Sequence, residues 1–284
     1  MNCYCGRDFT ATEITRIRQL MADHSDCNRT ELSRRVCRML QWYKADGGLK
    51  EMSCRVAMLR MHADGLIQLP PPKMAKAALR TISFTPATAP QNLIMRPVHR
   101  LEPLFLHKVE RPESSLWNEY IERYHYLGYT PLPGAQLRYF VMLDQKIIAL
   151  LGFGAAAWQA APRDHYIGWT HTLRQRHLPL VVNNARFLIL PWVQSKNLAS
   201  KILAMAAQQL PQDWQKQYVI TPVLMETFVE TGRFAGTCYK AANWIHVGET
   251  KGRGKLGPSG KQSVPIKNIW LYPLDRNFRK ILTA

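Results

Sequence analysis

The sequence predicts an α+β protein in which a helical, winged-helix-like part precedes a mixed β-sheet with flanking helices. Apolar residues recur at three- and four-residue intervals before Gly65, as on amphipathic helices. Seven prolines follow between Pro70 and Pro103, and β-rich runs then alternate with helical segments. We therefore predict a helical domain over residues 1–72, a proline-rich linker over 73–103 and a sheet domain over 104–284.

Three helices are predicted in the N-terminal part. Thr10-x-x-Glu13 and Asn28-x-x-Glu31 have the spacing of helix-start signals, and a third helix ends at Asp64-Gly65. This order resembles helix-turn-helix and winged-helix modules, whose basic residues contact DNA phosphate. A plain three-helix bundle with a solvated basic face is the alternative. The cations that we select as candidate nucleic-acid contacts are Arg34, Arg35, Lys50 and Arg55.

The charge of the chain predicts a polyanionic partner. The formal net charge is +18 at pH 7, and 46% of the residues are hydrophobic, so the chain has a core and is not disordered. We expect nucleic acid, and DNA before RNA; a merely solvated basic surface is the alternative. A glycine-rich basic loop over 248–261 is the second candidate phosphate contact, through Lys251, Arg253 and Lys255.

The N-terminus and the cysteines indicate a cytoplasmic protein. Residues 1–8 have no signal-peptide pattern, and no apolar run approaches the roughly 20 residues of a membrane span, so we expect no membrane contact. The six cysteines are expected to be reduced. A zinc site is the alternative to free thiols at the N-terminus, although its C-x-C spacing is uncommon; it would use Cys3, Cys5, His24 and Cys27.

The stretch from Leu180 to Ala206 organises the second domain. A short apolar run, a polar turn and apolar residues at helical spacing predict a strand, a turn and a helix. The turn would present unpaired backbone N–H groups to an anion such as a pyrophosphate. Asn183 and Asn184 precede the buried run, and they either support a site or cap a turn.

Further strands are predicted around this stretch. A hairpin is expected over 137–143 and 147–153, additional strands over 163–169 and 217–221, and a late strand over 245–248.

This order of elements resembles the GNAT acyltransferase fold. In that family, a Q/R-x-x-G-x-G/A turn wraps the pyrophosphate of acyl-coenzyme A. The present turn matches this pattern at Gln194 and Ala199 and has Asn197 in the place of a glycine. Asparagine tolerates the left-handed backbone that glycine provides there. The resemblance implies an acyl-coenzyme A site formed by Gln194, Ser195, Lys196, Asn197, Leu198 and Ala199.

A second motif resembles both GNAT enzymes and the GNAT-like phage DNA-modification proteins of the Mom type. The run Gly236 to Trp244 is similar to G-T-x-Y-x-A-x-N-W, and His125-Tyr126 is similar to a pair near the start of the Mom domain. The resemblance places Tyr239 as general acid and either Glu226 or His125 as base. A core aromatic and a structural histidine are the alternatives for Tyr239 and His125.

Over nearly the whole chain, the sequence resembles the Druantia anti-phage system protein DruA family. This resemblance implies a role in bacterial defence against phage, together with other defence proteins. The residues that carry it include Glu31–Cys37, Tyr124–Tyr129, Gly152–Phe153, Ala155–Trp158, Val182–Asn184, Arg186–Ile189, Glu226–Val229 and Gly248–Gly254.

Two classes of function follow. The first is a GNAT-type enzyme that transfers an acyl-type group and engages nucleic acid. The second is a non-catalytic nucleic-acid-binding subunit of a defence complex. A transposase-like nuclease is a weaker third interpretation, in which a metal ion would be held by Asp144, Glu226 and Glu249.

Overall fold

The structure of this protein is a computed structural model that describes residues 2–43, 47–72, 81–252 and 264–284. The chain divides into two compact units, Met1–Thr81 and Ile82–Ala284. A helical first unit and a seven-stranded mixed sheet in the second confirm the predicted α+β class. The predicted limits 1–72, 73–103 and 104–284 stay a prediction. None of the helices described here is both long enough and apolar enough to cross a lipid bilayer.

The first unit contains a two-stranded hairpin and three helices. The side chain of Thr10 accepts a bond from the Glu13 N–H, and the Glu13 carboxylate accepts one from the Thr10 N–H. The Asn28 side chain caps the second helix by accepting bonds from the Thr30 and Glu31 N–H groups. Both predicted start signals are therefore present. The elements are β1 (Asn2–Tyr4), β2 (Arg7–Phe9), α1 (Ala11–Asp23), α2 (Arg29–Met39) and α3 (Glu51–Ala63).

The second unit is built on a seven-stranded sheet of order β3-β4-β5-β6-β7-β9-β8. Within it, β6 and β7 are parallel, and the other neighbouring strands are antiparallel. The elements are β3 (Leu104–Lys108), α4 (Ser114–Tyr124), β4 (Gln136–Leu143), β5 (Lys146–Ala155), α5 (Ala161–Ile167), α6 (His171–His177), β6 (Val181–Ile189), α7 (Leu198–Tyr218), β7 (Leu224–Glu230), α8 (Thr237–Ala241), β8 (Ile245–Glu249), β9 (Lys267–Pro273) and α9 (Phe278–Leu282).

The central strands bury side chains on both faces of this sheet. Leu224 and Met225 are neighbours on β7, and they belong to two different apolar clusters. Since successive strand residues point to opposite faces, one cluster lies on each face. Side chains from α4 and α7 enter the cluster of Met225, and side chains from α5 and α9 enter the cluster of Leu224.

The segment of the second unit before β3 is hydrogen-bonded to the rest of that unit. Thr85 and Thr88 donate to the buried carboxylate of Glu119 on α4. Further along, the Ile94 N–H donates to the Trp192 carbonyl at 2.8 Å, and the Gln194 N–H donates to the Ile94 carbonyl at 2.9 Å. The proline-rich segment therefore lies against the start of the polar turn that follows β6.

Two predicted strands are wrong. Residues 163–169 contribute to α5, because Pro162 fits the first turn of a helix and Gly168 ends it with a left-handed φ of 85°. Residues 217–221 include the end of α7, which stops at Val219 with a φ of 59°. The hairpin β4–β5 and the late strand β8 are confirmed. Strands β1, β2, β3, β7 and β9 were not predicted.

Gly236 begins the predicted motif over 236–244, and its substitution tests how closely this motif packs against Trp270. Its φ is +69°, and a Cβ atom there would lie 2.8 Å from the Trp270 ring. We expect Gly236→Ala to lower the free energy of unfolding by about 2–4 kcal/mol. The cost of alanine in a left-handed backbone conformation adds to the cost of the clash with the Trp270 ring. Urea denaturation measures this change. Gly232→Ala is the control, because a Cβ atom there meets nothing within 4 Å. If the two variants had the same free energy of unfolding, the close packing of Gly236 against Trp270 would be contradicted.

Candidate functional site

A cleft opens where the two parallel strands β6 and β7 separate. The strands pair over only three residues, Val181–Asn183 with Leu224–Glu226. Beyond these pairs, residues 184–189 and 227–229 line a cleft of about 1690 Å³. This volume exceeds the 300–1,000 Å³ of a usual small-molecule pocket, and the carboxyl end of parallel strands is a common ligand site. The cleft has room for two reactants.

A β-bulge lies on the wall that β6 forms. Gly152 of β5 pairs with Arg186, whereas the next residue, Phe153, pairs with Asn184. Ala185 is therefore the extra residue, without a partner on β5. Bulges redirect the chain locally and are frequent beside active sites. Ala185 lines the cleft, and its carbonyl accepts a bond from the Arg186 guanidinium at 2.8 Å.

Tyr239 lies at the point where the strands separate. Its hydroxyl donates to Asn184 Oδ1 at 2.9 Å, and the Thr227 hydroxyl donates to the Asn184 carbonyl at 3.0 Å. The phenol ring also contacts Phe187 and Trp244 edge-on. Burial raises the pKa of Tyr239 far above its ordinary value. The side chain therefore carries its proton at neutral pH, beside the cleft that it lines.

Glu226 is on the opposite face of β7 and is fully buried. Its Oε2 lies 2.7 Å from Arg163 Nη1, and its Oε1 accepts a bond from the Ala157 N–H at 2.7 Å. Burial raises the pKa of this carboxyl, whereas Arg163 and the Ala157 N–H favour the carboxylate. Arg163 Nη1 also donates to the Ala157 carbonyl at 2.8 Å. The pair therefore fixes the peptide groups on both sides of Ala157.

Asp164 extends this ion pair into a network. Its Oδ1 accepts bonds from Arg163 Nη2 at 2.7 Å and from the Trp169 indole at 3.1 Å, and its Oδ2 accepts one from Arg174 at 3.1 Å. Burial alone would lower the pKa of Arg163, but the two carboxylates raise it. Arg163 is thus a permanent buried cation, and α5 is held against β7.

His125 ends α4 and lines the cleft. Its Nδ1 accepts a bond from the Leu127 N–H at 3.2 Å, and its ring stacks on Tyr126 at a centroid distance of 4.9 Å. Burial lowers the pKa of the imidazole to about 4, and the charge of Arg186 contributes. At neutral pH the ring is therefore uncharged. With Nδ1 used as acceptor, the proton is on Nε2, which can donate.

The predicted anion turn lies between β6 and α7. Asn197 has a φ of 66°, so it adopts the left-handed conformation that the expected glycine would provide. The Gln194 and Leu198 N–H groups donate to Ile94 and Ser195 carbonyls. In the part of the chain that the structure describes, the N–H groups of Lys196 and Ala199 have no protein acceptor, and the buried Ser195 hydroxyl has no partner. Within the turn over 194–199, Ala199 is the residue that lines the cleft.

The cations predicted in the first unit are partly neutralised. Arg34 Nε lies 2.7 Å from Glu51, and Arg35 Nε lies 3.3 Å from Glu31. The hydrogen bond to Glu51 raises the pKa of Arg34. Lys50 is exposed just before α3, and the buried Nε of Arg55 has no partner among the described residues. Arg34 and Arg55 line one concavity, together with Arg29.

The basic loop is described only at its ends. Lys251 lines the cleft, as do Gly252 and Val264, whereas Arg253 and Lys255 lie outside the described residues. No group of three or more His, Cys, Asp or Glu side chains within 2–43, 47–72, 81–252 and 264–284 could hold a metal ion. The structure therefore does not assemble the zinc alternative, Cys3, Cys5, His24 and Cys27, or the metal set of the nuclease interpretation, Asp144, Glu226 and Glu249.

Sequence reasoning missed three residues of this site: Arg163, Trp158 and Ala185. Arg163 was placed in a predicted strand, and no local signal reveals that a buried cation will meet Glu226. Trp158 ends the small-residue run over 154–157, and its position on the cleft rim depends on long-range contacts. The bulge at Ala185 depends on the pairing register of β5, which one strand alone does not encode.

The buried ion pair gives a second prediction. Glu226→Gln keeps the shape but removes the charge opposite Arg163, so we expect the free energy of unfolding to fall by about 3–5 kcal/mol. Lys108→Gln is the control, because its pair with Glu110 at 3.4 Å is solvent-exposed and should change stability by less than about 0.5 kcal/mol. Chemical denaturation compares them. A Glu226→Gln protein as stable as the control would show that the pair does not organise this face.

Solved structures similar to this chain are acetyltransferases. A SpeG spermidine N-acetyltransferase chimera from Vibrio cholerae and hSSAT is 12% identical, with a TM-score of 0.41 over 60% of this chain and 95% of that one. Aminoglycoside acetyltransferase AAC(6')-Ib in complex with coenzyme A is 14% identical, with a TM-score of 0.40 over 60% and 94%. An N-acetyltransferase from Staphylococcus aureus Mu50 is 10% identical, with a TM-score of 0.38 over 61% and 100%.

No curated protein matches the sequence. The model of the family described as Druantia protein DruA matches residues 64–263. The match includes the cleft-lining residues of α4, β6, β7 and α8, together with the buried pair of Arg163 and Glu226. Since this range is more than half of the chain, the protein belongs to the DruA family and is a component of the Druantia anti-phage defence system.

Proposed function

We propose that this protein transfers an acyl-type group from acyl-coenzyme A to an amine carried by nucleic acid, in the cleft between β6 and β7. The observation that carries the proposal is the separation of these strands around the Tyr239–Asn184–Thr227 cluster. It places a protonated phenol beside a cleft large enough for two reactants.

The residues of the turn fit a coenzyme pyrophosphate. An anion needs hydrogen-bond donors, and the described turn offers the Lys196 and Ala199 N–H groups and the buried Ser195 hydroxyl without protein acceptors. The start of α7 adds the positive end of a 21-residue helix. The left-handed Asn197 keeps the turn open in the manner of glycine. We assign Gln194–Ala199 to this anion.

When bound, acyl-coenzyme A would supply a thioester. Transfer of its acyl group to an amine would form a C–N bond, break the C–S bond and release the coenzyme as a thiol. Tyr239 holds a proton that can pass to the departing sulfur. Asn184 Oδ1 accepts a hydrogen bond from the Tyr239 hydroxyl and so orients the phenol. The N–H of Ala185, which has no partner residue on β5 at the bulge, is suited to stabilise developing charge on a carbonyl oxygen.

His125 and Glu226 have different roles in this proposal. His125 lines the cleft as a neutral imidazole, so it can orient the acceptor amine through Nε2–H or exchange a proton after its bond to Leu127 breaks. Both oxygens of Glu226 are already hydrogen-bonded in a fully buried pair. We therefore assign Glu226 as a positioning residue and retain His125 as the candidate base.

Charge supports nucleic acid as the acceptor. The net charge of +18 favours a polyanion, and Lys251 and Lys267 line the cleft. The first unit adds a concavity lined by Arg29, Arg34 and Arg55. Backbone phosphates bind such cations without regard to sequence, and we expect DNA first.

One observation favours a second candidate, a binding subunit without catalysis. The Gln194 N–H donates to Ile94 and is not free for a pyrophosphate. If this bond persists, the turn has fewer donors for a coenzyme. The protein would then bind nucleic acid for the other defence components.

Coenzyme binding separates the two candidates. We expect calorimetry with acetyl-coenzyme A and native mass spectrometry to show one bound coenzyme per chain. Tyr239→Phe should retain binding and slow acyl transfer by about 10²-fold or more, because the proton is lost. Tyr166→Phe is the control, since Tyr166 does not line the cleft. A chain that binds DNA normally and no coenzyme would leave only the second candidate.

Nucleic-acid binding should be strongly dependent on salt. We expect the affinity for DNA to fall steeply between about 50 and 200 mM salt, and the double variant Arg253→Ala, Lys255→Ala to reduce the salt slope by about two. Fluorescence anisotropy measures both. The control, Lys108→Ala with Lys146→Ala, removes two cations that do not line the cleft. An affinity that does not change with salt would refute this part of the proposal.

A further inference from the structure

We infer that Trp158 and Phe234 form a stacking platform for an unpaired nucleobase at the rim of the cleft. This inference rests on the proposed engagement of nucleic acid and names the form of nucleic acid that the cleft takes. Both side chains line the cleft, and both are exposed, at 59% for Trp158 and 46% for Phe234.

Trp158 is an exposed indole without an aromatic or cationic neighbour. Its ring has no ring–ring or cation–π contact with any residue that the structure describes, whereas Trp117, Trp192, Trp214 and Trp244 are all buried. A large apolar ring left in water beside a cleft is a common mark of a binding site. More than half of this side chain is therefore accessible to a flat ligand.

The backbone that carries this indole is fixed. The preceding residue, Ala157, donates its N–H to Glu226 and accepts from Arg163 through its carbonyl. Both partners are completely buried, and Asp164 holds Arg163 in turn. The fold therefore places a buried ion pair behind one exposed tryptophan. This network is the structural support that a preorganised contact needs.

Phe234 is the outer ring of a second aromatic group. Its ring contacts Tyr126 edge-on at a centroid distance of 5.3 Å. Tyr126 is in turn stacked with His125 and carries the Arg233 guanidinium 4.8 Å from its ring centre. Phe234 is 46% exposed against 37% for Tyr126, so it is the more accessible ring of this group for a ligand.

The charges around the rings favour an anionic ligand. The described residues that line the cleft include three basic side chains, Arg186, Lys251 and Lys267, and one acidic side chain, Glu249. Arg233 adds a cation on the aromatic group, and Glu230 lies near Tyr126. A quaternary ammonium ligand, which also binds aromatic rings, is disfavoured by this excess of positive charge. Nucleic acid joins a flat base to a negative phosphate and fits both features.

Stacking requires an unpaired base. In a duplex, each base is covered on both faces by its neighbours, so an aromatic side chain reaches a base face only in a single strand or after the base leaves the stack. Stacking on aromatic residues is tolerant of sequence, because every base has a π-face. The platform therefore predicts a preference for single strands over duplex.

The test uses the full chain and short oligonucleotides that contain 2-aminopurine. We expect tighter binding to the single strand than to the duplex of equal length, quenching of 2-aminopurine on binding, and weaker binding to an abasic strand with the same phosphates. Trp158→Ala and Phe234→Ala should each lower the single-strand affinity by about 10-fold. Trp158→Phe should restore most of it.

Phe105→Ala is the matched control. Phe105 is on β3, is 44% exposed and does not line the cleft, so its loss should leave affinity unchanged. Since all three aromatic residues are exposed, thermal unfolding should be nearly the same for the variants. Equal affinity for abasic and normal strands, or an unchanged affinity of Trp158→Ala, would overturn the platform. If the protein bound no coenzyme while base stacking was still observed, acyl transfer would be rejected and the stacking platform would be retained.

Discussion

Two parallel strands that separate after three residue pairs leave main-chain groups without a strand partner, and the second unit depends on how these groups are satisfied. Thr227 on β7 donates its hydroxyl to the Asn184 carbonyl on β6 and so replaces a lost main-chain bond. Tyr239 donates to the side chain of the same asparagine. Polar side chains thus connect the two strands where their main-chain pairing ends, and the space beyond this point becomes the cleft.

The same strand organises the opposite face of the sheet. Because side chains alternate along β7, Thr227 points to the Tyr239 cluster and Glu226 points to Arg163. The buried ion pair fixes Ala157, and with it the rim of the cleft that carries Trp158. Removing one member of a buried pair is costly, so this geometry is strongly specified. The proposed chemistry and the proposed stacking platform therefore depend on the same strand.

Local signals predicted the helices of the first unit, the β4–β5 hairpin and the strand, turn and helix around Asn197. Thr10 and Asn28 encode caps within four residues, and two β-rich runs on either side of residues 144–146 encode a hairpin. The helix over 161–167 was missed because aromatic residues between Arg163 and Trp169 suggested a strand, while Pro162 and Gly168 decided the outcome. Motifs predicted Tyr239, Glu226 and His125 as candidate site residues, whereas the partners of Glu226 and Asn184 were not predicted, because they are 63 and 55 residues away in the chain.

The most direct test of the central claim is a structure determined with acetyl-coenzyme A and a short single-stranded oligonucleotide. We expect the pyrophosphate at the turn over 194–199, the thioester between β6 and β7 near Ala185 and Tyr239, and a base stacked on Trp158. Density for the coenzyme at another site would contradict this claim. So would the absence of coenzyme density at millimolar coenzyme concentration while the single strand is bound.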